Sequence, residues 1–160
     1  MKLKFVFKST LLFEDSQQAD VLLVYCSDFR FRKHFWEFQE KVLGNKKIDR
    51  MIQPGGHLQL FANSLGYPNA DAAEKFWLEF LAANHQVKEV VFVGHARCAA
   101  YAGAKKLANK SPDDLRKAQI NDLLKARDLV LSWHKKLKVK LYFAEPARAG
   151  RGVIFSQVTA

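Results

Sequence analysis

The chain has 160 residues, 49% of them hydrophobic and 13 of them phenylalanine, and a formal net charge of +10. A chain of this length closes one domain around a single core, burying roughly 70% of its unfolded surface without disulfides. That composition excludes a disordered chain, and no segment approaches the roughly 20 uninterrupted apolar residues of a membrane helix.

Residues 1–160 therefore read as one domain, in which 1–20 form an extension without a clear element. Lys4 and Lys8 break the apolar start and no small-residue cleavage site follows, so a cytoplasmic location is expected. Two cysteines are too few for a secreted disulfide framework. Most of the charge sits between Lys105 and Lys140, where 11 Lys/Arg face 4 Asp/Glu. No aromatic RNA-binding motif or recognition helix accompanies it, so the excess reads as a solvated helical face and nucleic acid is not the expected partner.

Val21 to Tyr25 is a continuous β-favouring run, the pattern of a strand buried on both faces. Phe31, Phe35, Phe38 and Val42 then recur at helical spacing, and Gly44-Asn45 supplies a stop. A short strand around Arg50 to Gln53 runs into the turn "PGGH". Asn69 is placed to cap a helix whose Ala73, Phe76, Trp77, Phe80 and Leu81 form an apolar stripe, read as core. "VVFVGH" is a second fully buried strand, and "ARCAAYAGAKKLA" opens another helix. "SPDD", Ser111 to Asp114, combines a serine cap, a proline at the first position and acids at the positive end of the dipole. Ile120, Leu123, Leu124, Val130, Leu131 and Leu137 give that helix a buried side. "VKLYFAEP" is a further strand, and "GVIFSQV" a last one, antiparallel at an edge. The alternation predicts an α/β fold with a mainly parallel sheet flanked by helices.

In such sheets ligands collect outside the carboxyl ends of the strands. Cys26 ends the first buried strand, His95 ends another, and Cys98 follows three residues later. If those strands are neighbours, the three side chains converge although 69 positions separate Cys26 from His95. Two thiolates and an imidazole suit zinc, with a fourth tetrahedral position left available. Against this stands a plainer reading: two buried cysteines and a hydrogen-bonded histidine. Asp28 and Arg30 lie just beyond Cys26, where a carboxylate beside a buried sheet end needs a partner that Arg30 can supply bidentately.

"CSDFR" resembles the C-x-D-x-R motif of the β-class carbonic anhydrases, and "VVFVGHARC" resembles their second signature, a strand ending in G-H-x-x-C. The resemblance runs from Val21 to about Val158. It implies zinc held by Cys26, His95 and Cys98. It also implies that Asp28 either occupies the fourth position or pairs with Arg30 and leaves it to water. The activity implied is reversible hydration of carbon dioxide to bicarbonate by a metal-bound hydroxide, in a homodimer or higher homo-oligomer.

The chain departs from that pattern at two places. Ala99 stands where the family has glycine, and "IQPGGHLQ" keeps only the glycine pair of an R-N-A-G-N-like stretch. Two further readings therefore stay open: a zinc-binding protein of the same fold serving as a structural or binding module, or a hydrolase of carbonyl sulfide or carbon disulfide. His57 reads as a surface histidine, with a proton shuttle facing the pocket as the alternative. His34, His85 and His134 are expected at the solvent, Arg97 reads as solvated, and the turn carrying Arg148 and Arg151 is a weaker anion-site candidate.

Overall fold

In a computed structural model, residues 4–11, 13–67, 70–148 and 151–159 are described. Five strands form one sheet: β1 (Val21–Cys26), β2 (Ile48–Gln53), β3 (Glu89–His95), β4 (Lys138–Pro146) and β5 (Val153–Gln157). Their order is β2-β1-β3-β4-β5, and every neighbouring pair is parallel except the antiparallel edge pair β4 and β5. The expected α/β architecture, mainly parallel with one antiparallel edge strand, is therefore the observed one.

β1 and β3 are apolar on both faces because both faces are covered. All six residues of β1 and all seven of β3 are buried. One face carries Leu22, Val24, Val90 and Phe92 against Leu78 of α2 (Ala70–Asn84) and Leu123, Ala126 and Val130 of α4 (Pro112–Trp133). The other carries Val21, Leu23, Val91 and Val93 against Phe31, Phe35 and Phe38, the last two in α1 (Arg32–Phe38). Strand order reverses beside β1: the chain crosses to β2 on one flank and returns to β3 on the other. The crevice beyond the carboxyl ends of β1 and β3 is thus the place where such a sheet binds ligands.

The start signal of α4 operates as its residues suggest. Ser111 Oγ accepts the Asp114 backbone N–H at 3.1 Å, and Pro112 opens the helix. Two apolar stripes differ from the sequence expectation. Val42 is 51% exposed whereas Leu43 is buried. α1 continues into a π-helical turn, Gln39–Leu43, in which Gly44 N–H donates to Gln39 O. The wider turn shifts the helical phase by one residue and replaces Val42 with Leu43 in the core. On α2, Phe76, Trp77 and Phe80 are 57%, 52% and 41% exposed, and the helix buries Glu74 and Leu78 instead. The three aromatic rings pack on one another outside the core, with Trp77 5.0 Å from Phe76 and 5.8 Å from Phe80. The proposed cap Asn69 lies outside the described residues.

Candidate metal centre

Register carries the two motifs to one place. β1 and β3 pair directly, with Tyr25 opposite Val93, so Cys26 at the end of β1 lies beside the end of β3 at His95. Between His95 and Cys98 the chain turns through Arg97, whose φ of 59° is left-handed. The turn places Cys98 at the head of α3 (Ala99–Gly103). One ligand atom from each of Cys26, His95 and Cys98 lies within 4.8 Å of the others, and all three residues are buried.

Three observations test whether this group fits a metal. The sulfurs are 3.9 Å apart and not joined by a disulfide, close to the edge of about 3.8 Å expected for a tetrahedron with sulfurs about 2.3 Å from its centre. His95 Nδ1 lies 2.9 Å from Ala96 O, which fixes the proton on Nδ1 and leaves the Nε2 lone pair available. Nε2 is itself buried and has no partner among the described residues, an arrangement that costs free energy unless a further group meets it. Phe31 lies 4.4 Å from the imidazole, centroid to centroid, and fixes its orientation.

The thiols share their environment unequally. A hydrogen bond from Cys98 draws the Cys26 thiol down against the opposing effect of burial, aided by His95 and by the Gly55 N–H. That N–H donates to Cys26 Sγ at 3.2 Å. The same interaction, reinforced by burial, pushes Cys98 up. Gly55 and Gly56 are the retained glycine pair, and both have positive φ. A Cβ on Gly56 would stand 2.9 Å from the Tyr25 carbonyl carbon and 3.0 Å from Cys26 N, so only glycine lets this turn approach the end of β1.

Asp28 and Arg30 meet as their spacing suggests. Arg30 Nε donates to Asp28 Oδ1 at 2.9 Å and Nη2 to Oδ2 at 2.5 Å, while Arg30 N–H also donates to Oδ1. These bonds hold the carboxyl below its ordinary range despite partial burial. Asp28 is thus turned to Arg30 and does not belong to the Cys-His-Cys group. A cavity of about 450 Å³ reaches the group at Cys26, lined also by Asp28, Phe29, Arg30, Pro54 and Ala99 among others.

His57 corrects both readings made for it. It is fully buried, neither at the surface nor lining that cavity. Its Nε2 lies 3.2 Å from Gln119 O and 2.9 Å from Tyr101 Oη, and the Tyr101 hydroxyl donates to Asp122 Oδ2. Burial lowers its pKa to about 3, so the ring is neutral. His34, His85 and His134 are half-buried rather than solvent-exposed, and His85 Nδ1 is 2.5 Å from Asp49 Oδ2. Arg148 and Arg151 are exposed, as is Arg97.

Where the resemblance calls for arginine and asparagine, Gln53 Nε2 instead donates to Glu74, a buried carboxyl reaching in from α2. Burial raises Glu74 to about 7, partly offset by the Gln53 hydrogen bond. The aromatic residues of α2 suggest a different buried face, so the sequence reading does not single out Glu74. Its i, i+4 spacing to Leu78 was the available signal.

No family model matches the chain. Two sequence relatives are uncharacterised proteins of Rickettsia. One from Rickettsia conorii is 29% identical over 125 residues, spanning 76% of this chain and 65% of the relative. One from Rickettsia bellii is 26% identical over 125 residues, spanning 76% and 74%. This chain thus spans less than two thirds of the Rickettsia conorii protein. Among solved structures, a tetrameric β-carbonic anhydrase of Sordaria macrospora superposes with a TM-score of 0.57 at 15% identity, covering 89% of this chain and 82% of its own. β-Carbonic anhydrase isoform I of Trichomonas vaginalis gives 0.55 at 16% identity, covering 94% and 87%. The Aspergillus fumigatus β-carbonic anhydrase CafA gives 0.54 at 19% identity, covering 88% and 76%. This chain shares the fold of the β-carbonic anhydrases.

Proposed function

We propose that the protein binds zinc through Cys26, His95 and Cys98 and catalyses the reversible hydration of carbon dioxide to bicarbonate. The observation that carries this reading is the buried Cys-His-Cys group in which His95 Nε2 lacks a partner among the described residues while Asp28 is engaged by Arg30. Bound there, zinc would act as a Lewis acid that makes a coordinated water nucleophilic near neutral pH.

The chain's own residues supply the rest. Arg30 engages the Asp28 carboxylate and would keep it from competing with water for a bound zinc. The Asp28 carboxylate, on the cavity wall, would accept a hydrogen bond from the metal's water and orient it. Phe29, Pro54, Ala99 and Ala100 give the cavity an apolar wall, suited to a small, linear, uncharged substrate. Arg30, half-exposed at the mouth, offers positive charge to the departing bicarbonate.

Stopped-flow hydration on protein with measured zinc content tests the assignment. Turnover above the buffer rate is expected, and stoichiometric zinc without turnover would overturn it. A second reading draws on the absence of the family's arginine and asparagine from "IQPGGHLQ". On that reading the same centre serves structure or binding, or acts on carbonyl sulfide or carbon disulfide. Sulfide release in the absence of carbon dioxide hydration would favour the latter.

The protein is further read as a cytoplasmic homo-oligomer, with the exposed Phe76, Trp77 and Phe80 of α2 as the contact between copies. Among the described residues, no helix is long and apolar enough to cross a membrane.

A further inference from the structure

The amino ends of the strands, opposite the Cys-His-Cys group, carry a second concentration of chemistry. A pocket of about 590 Å³ is lined by Asp20, Asn45, Lys46, Lys88, Glu89, Lys136 and Lys138. These residues come from four chain segments that the sheet brings together: the approaches to β1, β2 and β3, and the start of β4 with the turn before it. Four lysines face two carboxylates, leaving an excess of two positive charges in one concavity.

The carboxylates are already engaged. Glu89 is buried and held by Lys46 Nζ at 2.9 Å and by Lys140 Nζ at 2.7 Å. Burial alone would raise its pKa, but the two ammonium groups outweigh that effect and lower it, so it stays ionised as a fixed anchor. Asp20 Oδ2 accepts the Lys47 backbone N–H at 3.0 Å. Lys88, Lys136 and Lys138 have no carboxylate within 4.0 Å among the described residues. Three like charges around one hollow repel one another and raise the local potential, a cost that a bound anion relieves.

We infer that this pocket is a binding site for a small molecule carrying a phosphomonoester. The dianion matches the excess of two charges, and ammonium groups on flexible stems grip a tetrahedral oxyanion as point charges from several directions. A volume of about 590 Å³ exceeds what a phosphate alone fills, so an organic group enters with it. The site lies at the far end of the sheet from the metal centre and does not depend on how that centre functions.

Backbone-amide chemical-shift mapping on the full zinc-loaded chain tests the inference, with adenosine 5′-monophosphate and ribose 5-phosphate as probes. Saturable one-to-one shifts are expected at Lys46, Lys88, Glu89 and Lys138. The double variant Lys88→Gln, Lys136→Gln should weaken binding by about tenfold or more, whereas Lys117→Gln on α4 should change it less than about twofold.

Four outcomes would overturn the site: no shifts at these amides, equal weakening by Lys117→Gln, succinate binding as tightly as the phosphomonoesters, or shifts confined to Cys26, His95 and Cys98. A single-stranded oligonucleotide that binds more tightly as it lengthens, with shifts spread along α4, would replace it with a nucleic-acid surface.

Discussion

Arg30 Nη2 donates to the carbonyl oxygen of Arg97 at 2.9 Å while the same guanidinium grips Asp28. One side chain therefore ties the loop after β1 to the left-handed turn that delivers Cys98, and fixes the acid between them. Arg30→Ala removes both ties. Hydration turnover should fall by about 100-fold or more, because a released Asp28 competes with water for the fourth position. Zinc content should stay near that of the parent. Stopped-flow rates beside metal analysis check both, and unchanged turnover would refute the assigned role of the Asp28–Arg30 pair.

Cys26→Ser and Cys98→Ser each replace a sulfur donor with a poor zinc ligand. Zinc affinity should fall by more than about tenfold in either variant, measured by competition with a chromophoric chelator. Removing zinc from the parent protein should also lower its thermal midpoint, since metal bound only by the folded chain stabilises it. Full zinc retention by both variants would remove the metal centre.

Glu74 gives stability a defined pH dependence. Its pKa rises from 4.5 to about 7 because burial penalises the carboxylate. Between those values the folded chain keeps a proton that the unfolded chain releases, so stability declines as pH rises through the window, by up to about 3 kcal/mol. Glu74→Gln should flatten this decline and make the protein more stable than the parent above pH about 7. Urea midpoints across the window decide it, and parallel profiles for both proteins would contradict the buried acid.

Gly56→Ala places a methyl group against the backbone of Tyr25 and Cys26 at a φ of 53°. A destabilisation of about 2–4 kcal/mol is expected from the combined strain and overlap. Because the displaced backbone carries Cys26, zinc affinity should weaken in the same variant. Denaturant titration and metal competition read the two effects separately.

Replacing Phe76 and Trp77 with serine removes the largest exposed apolar surface of α2. If that face joins copies of the chain, light scattering should show a lower mass for the double variant with unchanged helix content. An unaltered mass would move the contact elsewhere.

The amino-acid sequence by itself determined the sheet's central strands and singled out Cys26, His95 and Cys98, which the fold brings together. Continuous apolar runs such as Val21–Tyr25 and Val90–Val93 fit only strands covered on both faces, and the residues that end them carry the chemistry. The Ser111-Pro112 helix start and the Asp28–Arg30 pair were equally legible, since both depend on residues close in the chain.

Only the tertiary structure decided the rest. Whether an aromatic stripe is core depends on what packs against it, so α2 turned Glu74 and Leu78 inward and left Phe76 and Trp77 outside. A single widened turn after Phe38 exchanged Val42 for Leu43. His57 became a neutral ring because the packed interior penalises its charge, and Gln119 and Tyr101, far along the chain, meet its Nε2. Local periodicity records which residues share a face, whereas burial of a polar group depends on partners supplied by distant parts of the chain.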